Sequence, residues 1–109
     1  MKKLLATALL CTSLTAQAEF LTGNKLLEMF NGSQTQQALG MGYVAGVADV
    51  VTGTVFCPEG EVTLGQLRDM TKNFLEKYPE HRSQTADTIV IALLKNFMPC
   101  KAPKKDRSV

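Results

Sequence analysis

Val62-Thr63-Leu64-Gly65-Gln66-Leu67-Arg68-Asp69-Met70-Thr71-Lys72-Asn73-Phe74-Leu75-Glu76-Lys77-Tyr78-Pro79 carries a complete set of helix signals, and the rest of the chain is read outward from it. Thr63 stands where an N-cap belongs. Gln66, three residues on, completes a capping box, in which two side chains satisfy backbone donors that the first turn of a helix leaves open. Val62 and Leu67 occupy the flanking staple positions. Leu64, Leu67, Met70, Thr71, Phe74, Leu75 and Tyr78 then recur at three- and four-residue spacing, the face of an α-helix and not the alternation of a strand. Pro79 has no amide proton to continue the ladder and ends the run.

Downstream, a second apolar face runs from about Ser83 or Thr85 to Phe97, with Ala86, Ile89, Val90, Leu93, Leu94 and Phe97 predicted inward and Asp87, Lys95 and Asn96 outward. Pro99 ends it and Cys100 follows. Upstream, Asn24 to Phe30 reads as a short amphipathic helix closed by Asn31-Gly32. Ser33 then caps a longer helix running to about Thr54, whose content is apolar and small. Glycine weakens a helix by ~1 kcal/mol relative to alanine, so this helix needs tertiary packing. Gly42, Gly46, Asp49 and Gly53 share a stripe at helical spacing, which predicts close helix packing there, within one subunit or between two. Asp49 is expected to bond a neighbouring group as a satisfied buried polar residue. A membrane-pairing role for the stripe conflicts with Asp49 and with the short apolar span.

The N-terminus decides the compartment. Lys2 and Lys3, the apolar run Leu4 to Leu14 and the small-x-small triplet Ala16-Gln17-Ala18 form a secretory leader, with cleavage expected after Ala18 and a periplasmic destination. The apolar run is too short to span a bilayer. Of the three cysteines, Cys11 leaves with the leader, so Cys57 and Cys100 remain in an oxidising compartment and are expected to pair. Cys57 lies in the turn before the Thr63 helix, so one bond would pin both ends of the last helical hairpin. The sequence thus predicts an all-α fold: a small single-domain bundle of about four helices stapled by one disulfide. Its parts are a leader (1-18), the helical domain (19-100) and a disordered basic tail (101-109).

Composition excludes several functions. Lys2 and Lys3 account for the formal net charge of +2, and the mature chain is balanced. A nucleic acid or an anionic membrane surface is therefore a poor partner. Two cysteines and the lone His81 fall short of the four ligands of a zinc site, and no cofactor motif is present. No arrangement of nucleophile and base, or of paired carboxylates, stands out, so the chain reads as a non-enzyme. Tyr43 is expected in the core with its hydroxyl at the rim. Glu80, His81 and Arg82, in a turn of mixed aromatic and charged character, are the candidate partner-binding residues.

Taken in order, several segments resemble a known family. They are Phe20-Leu21-Thr22-Gly23-Asn24-Lys25-Leu26-Leu27, Gly42-Tyr43-Val44-Ala45-Gly46-Val47-Ala48-Asp49, Phe56-Cys57-Pro58-Glu59-Gly60, Val62-Thr63-Leu64-Gly65-Gln66-Leu67, Tyr78-Pro79 and Phe97-Met98-Pro99-Cys100. Together they look like the Rap/Tai family of type VI secretion amidase immunity proteins, over nearly all of the mature chain. The resemblance implies a small exported helical protein, often a homodimer, that binds and inhibits a peptidoglycan amidase toxin without chemistry of its own. Many members carry a second cysteine pair, and here Phe30 and Gly40 stand at those positions. The resemblance therefore implies a first helix held by packing, with Phe30 as a core contact in place of a bond. An alternative role is a periplasmic stress chaperone or general binding module, which other small exported helical proteins fill.

Overall fold

The computed structural model describes residues 20–101. The leader expected at residues 1–18 and the tail expected beyond Lys101 lie outside the described residues. The all-α expectation holds: α1 (Gly23–Phe30), α2 (Gln34–Val51), α3 (Leu64–Lys77) and α4 (Ala86–Phe97) are joined by loops, with a 3-10 turn at Pro79–His81 between α3 and α4.

Each of the first three helices begins on a side-chain cap. Thr22 Oγ1 accepts from the Lys25 amide at 3.2 Å and opens α1. Ser33 and Gln36 form a full capping box at α2, with reciprocal bonds of 3.2 Å each way. Thr63 and Gln66 form the predicted box at α3, at 2.8 and 3.1 Å. Such caps contribute about 1 kcal/mol apiece. Helix α2 stops at Val51, short of Thr54, because Thr52 turns extended and Gly53 adopts φ +90. The Val51 carbonyl then collects the amides of Thr54, Val55 and Phe56. Only glycine takes that left-handed conformation without steric cost.

Helix α2 packs on α1, α3 and α4. Leu26, Val44, Leu75, Ala86, Val90 and Leu94 are wholly removed from solvent where these helices meet. Full burial of a large aliphatic side chain stabilises by about 1.5–3 kcal/mol relative to exposure, so this centre dominates the favourable side. Phe30 is buried as the resemblance implied, and its ring lies on the backbone of α2 at Gly40. A Cβ at Gly40 would come within 3.0 Å of Phe30 Cε1, so the glycine makes room for the aromatic ring.

Close packing within the chain therefore falls at Gly40 and not at the predicted stripe. Gly42, Gly46, Asp49 and Gly53 are all exposed, and a Cβ at any of these three glycines would meet nothing within 4 Å. The reason is helical phase. Helix α2 buries Gly40, Val44, Ala48 and Val51, and that phase turns Gly42, Gly46 and Asp49 outward. Asp49 is accordingly a surface carboxylate and not a buried, satisfied one. Phe97, expected inward, is 40% exposed and meets only the edge of the core through Phe56, ring centroids 6.4 Å apart. It is the last residue of α4.

Cys57 and Cys100 are bonded, with Cα atoms 4.7 Å apart. The Cys57 amide donates to the Met98 carbonyl at 2.9 Å, the Cys100 amide to the Val55 carbonyl at 3.4 Å, and Phe56 forms a bridge with Pro99. The end of α4 is thus tied to the α2–α3 loop by backbone as well as by sulfur. Mature protein denatured without reductant should show no alkylatable thiol. Cys57→Ser should lower the unfolding free energy in urea by about 2–5 kcal/mol; an unchanged midpoint would show that the backbone ties suffice.

Candidate functional site

The corner between α3 and α4 begins with Pro79. Proline at the first position of the 3-10 turn needs no amide partner, so the chain can bend directly after α3. The His81 amide donates to Tyr78 O at 3.0 Å, Arg82 to Pro79 O at 3.2 Å and Gln84 to His81 O at 3.1 Å. The turn is thereby wound on its own backbone. Glu80, His81 and Arg82, the candidate contacts, project from this one corner: Glu80 and His81 are exposed and Arg82 is half-buried.

Aromatic rings back the corner. Phe74, near the end of α3, has its centroid 5.0 Å from Tyr78 and 5.9 Å from His81, and Tyr78 and His81 lie 6.1 Å apart. The Lys77 ammonium sits 5.4 Å from the Tyr78 ring centroid, within cation–π range. Gln84 Nε2 is 3.4 Å from His81 Nδ1. Arg82 Nε is buried and lacks a hydrogen-bond partner among the described residues. An unsatisfied buried donor costs roughly 1–3 kcal/mol, so stability does not explain the arginine.

The corner is fastened from behind by the start of α1. Gly23 donates to Gln84 O at 2.9 Å, Asn24 to Arg82 O at 2.8 Å, and Ala86 to Leu21 O at 2.7 Å, around a bridge between Thr22 and Thr85. Gly23 is required by this closeness: a Cβ there would lie 2.7 Å from Ile89 Cδ1 and 3.0 Å from the Arg82 carbonyl. Sequence reading missed Gly23 as a site-supporting residue. Its only local signal was a glycine directly after the capping Thr22.

A second feature is an apolar groove of about 390 Å³ between the outward face of α2 and the start of α4, lined by Gly42, Tyr43, Gly46, Val47, Val50 and Ile91. Val50 is 81% exposed and Leu39, one turn before Tyr43, is 59% exposed. Tyr43 is half-buried at the rim beside Asp87. Burial, and then the Asp87 carboxylate, push its hydroxyl above the usual tyrosine range, an effect partly offset by the Asp87 backbone amide. The tyrosine is neutral across the physiological range and offers a donor at the edge of an apolar surface. The groove and the corner are separate surfaces, since they share no lining residue.

The family model of the Rap1a immunity proteins matches residues 22–100, from the cap of α1 to the second half-cystine. The chain belongs to the Rap1a immunity protein family. Comparison with curated proteins gives no match. As a Rap1a immunity protein it has a toxin as its partner, and the family acts in general by binding and not by catalysis. Among the described residues no helix is long and apolar enough to cross a membrane, α2 included. The matched span covers both the α1 start and the corner that it fastens.

Gly23→Ala should therefore act at the corner. The added Cβ displaces Ile89 or the Arg82 carbonyl, at a cost of about 1–3 kcal/mol. Amide exchange of Asn24 and Ala86 should accelerate more than that of Val90; uniform acceleration would show that Gly23 serves general packing only.

Proposed function

We propose that this Rap1a immunity protein is exported to the periplasm, where it binds and blocks a peptidoglycan amidase toxin delivered by type VI secretion. It acts as a stoichiometric inhibitor and as a homodimer, and the Glu80-His81-Arg82 corner enters or covers the toxin's cleft. The leader pattern before Glu19 supports export, and a disulfide pair in a chain of this size suits an oxidising compartment.

The observation that carries the reading is the corner itself. Glu80 and His81 are exposed, the corner is backed by stacked rings and clamped by the start of α1, and it contains a buried arginine nitrogen with no partner among the described residues. A loop pre-ordered on rigid helices loses little conformational entropy on binding, which favours affinity. An acceptor from a toxin would reach the exposed part of the guanidinium, whose planar fork matches a carboxylate. The imidazole of His81 and the ring of Tyr78 beside it provide the aromatic area that binding hot spots favour.

The test is survival. A candidate amidase from the same genome, expressed in the periplasm of a susceptible host, should cause lysis that this protein prevents. Rescue should disappear when residues 1–18 are removed and should fall at least tenfold with the pair His81→Ala and Arg82→Ala, whose fold is checked by circular dichroism. Rescue by the leaderless form would remove the periplasmic site of action. Absence of any complex, together with protection of unrelated proteins from acid-induced aggregation, would replace immunity with the chaperone role.

A further inference from the structure

A thioether sulfur, in addition to the disulfide, ties the finish of α4 to the loop before α3. Glu59 donates its amide to Met98 Sδ at 3.4 Å, across a sequence separation of 39 residues. Two residues earlier, Cys57 donates its amide to the Met98 carbonyl at 2.9 Å. One residue thus holds the loop twice, once through its backbone and once through its side chain. A thioether is a weak acceptor, and it accepts only while its sulfur keeps its electron density.

The same side chain lines a cavity of about 330 Å³ together with Cys57, Glu59, Phe97 and Pro99. That is roughly ten times the volume of one water, so a peroxide molecule fits. Met98 itself is half-buried and not sealed in the core. Cys57 and Cys100 are bonded to each other, so no thiol among the described residues competes for an oxidant, and methionine is the oxidisable sulfur that remains. Met29, Met41 and Met70 are half-buried as well. Among the described residues none of their sulfurs accepts from a backbone amide, and that of Met41 meets only the Arg68 side chain, at 3.9 Å.

We propose that Met98 is an oxidation site whose sulfoxide releases the loop before α3 from the end of α4. One sulfur lone pair faces the Glu59 amide, and the other attacks an oxygen of hydrogen peroxide from the cavity. The S–O bond forms as the O–O bond breaks. Sulfur loses two electrons and the peroxide gains them, and the departing hydroxide takes the remaining peroxide proton and leaves as water. In the sulfoxide the sulfur is positively polarised and no longer accepts, so the Glu59 amide turns to solvent. The disulfide keeps the loop nearby, and a sulfoxide reductase can return the thioether.

The test compares mature wild type with Met98→Leu, each before and after limited hydrogen peroxide treatment, with the oxidised methionines located by peptide mass spectrometry. Oxidation of Met98 should accelerate amide exchange at Glu59 about five- to tenfold, the equivalent of one modest hydrogen bond, and methionine sulfoxide reductase should reverse it. M98L should exchange at the fast rate from the start, and peroxide should not change it. Gly23 and Asn24, bonded at the opposite end of α4 about 18 Å away, should be unaffected in both proteins. If Glu59 exchanges no faster once Met98 is oxidised, the sulfoxide oxygen has replaced the sulfur as acceptor and the release is wrong. Acceleration at Glu59 in peroxide-treated M98L would assign the effect to another methionine. Conversion of Met29, Met41 and Met70 with Met98 untouched would show that the cavity does not admit peroxide, and would remove the site.

Discussion

Helix α4 is held at both ends by backbone that is not helical, and the remainder of the molecule is arranged around that constraint. At its start, residues 21–24 donate to and accept from residues 82–86; at its finish, residues 55–57 bond to residues 98–100. Between the two seams, Ala86, Ile89, Val90 and Leu94 are at most 2% exposed. Only one seam is covalent. The disulfide ties the finish of α4, where Phe97 is exposed, whereas the start is tied by hydrogen bonds that require Gly23. The cross-link spans a sequence separation of 43 residues and stabilises chiefly by restricting the unfolded chain.

The first seam also holds the corner between α3 and α4. The corner Pro79–His81 bears the exposed candidate contacts, yet its backbone is anchored to α1, an element distant from it in sequence. If the corner is the toxin contact proposed above, a pre-ordered loop loses less conformational entropy on binding than one that orders on contact.

Much of this was legible in the sequence, and the failures share one cause. The capping box at Thr63 and Gln66, the stop at Pro79, the cysteine pairing and the helical class followed from local chemistry or simple elimination. Phe30 as a core contact followed from the resemblance. What local pattern could not supply was the rotation of α2. A helix with apolar residues nearly all round carries no clear inward face, and its small-residue stripe reads equally well as buried or exposed. Val44 and Val51 won the interior, so Gly42 and Gly46 turned outward and the close approach moved to Gly40. Gly23 was missed for a related reason, because its neighbours Ile89 and Arg82 are remote in sequence and only the fold brings them to it. Glu80, His81 and Arg82 share one corner because they are contiguous in the chain.

The most direct measurement is amide hydrogen exchange on the mature protein, alone and with a periplasmic amidase from the same genome. Free protein should already show slow exchange at Gly23, Asn24, Arg82 and Gln84. Addition of the amidase should slow exchange further across Tyr78–Gln84, while α2 from Leu39 to Val50 stays unchanged. Fast exchange at Gly23 and Asn24 in the free protein, or toxin protection confined to α2, would contradict a pre-ordered corner as the inhibitory surface.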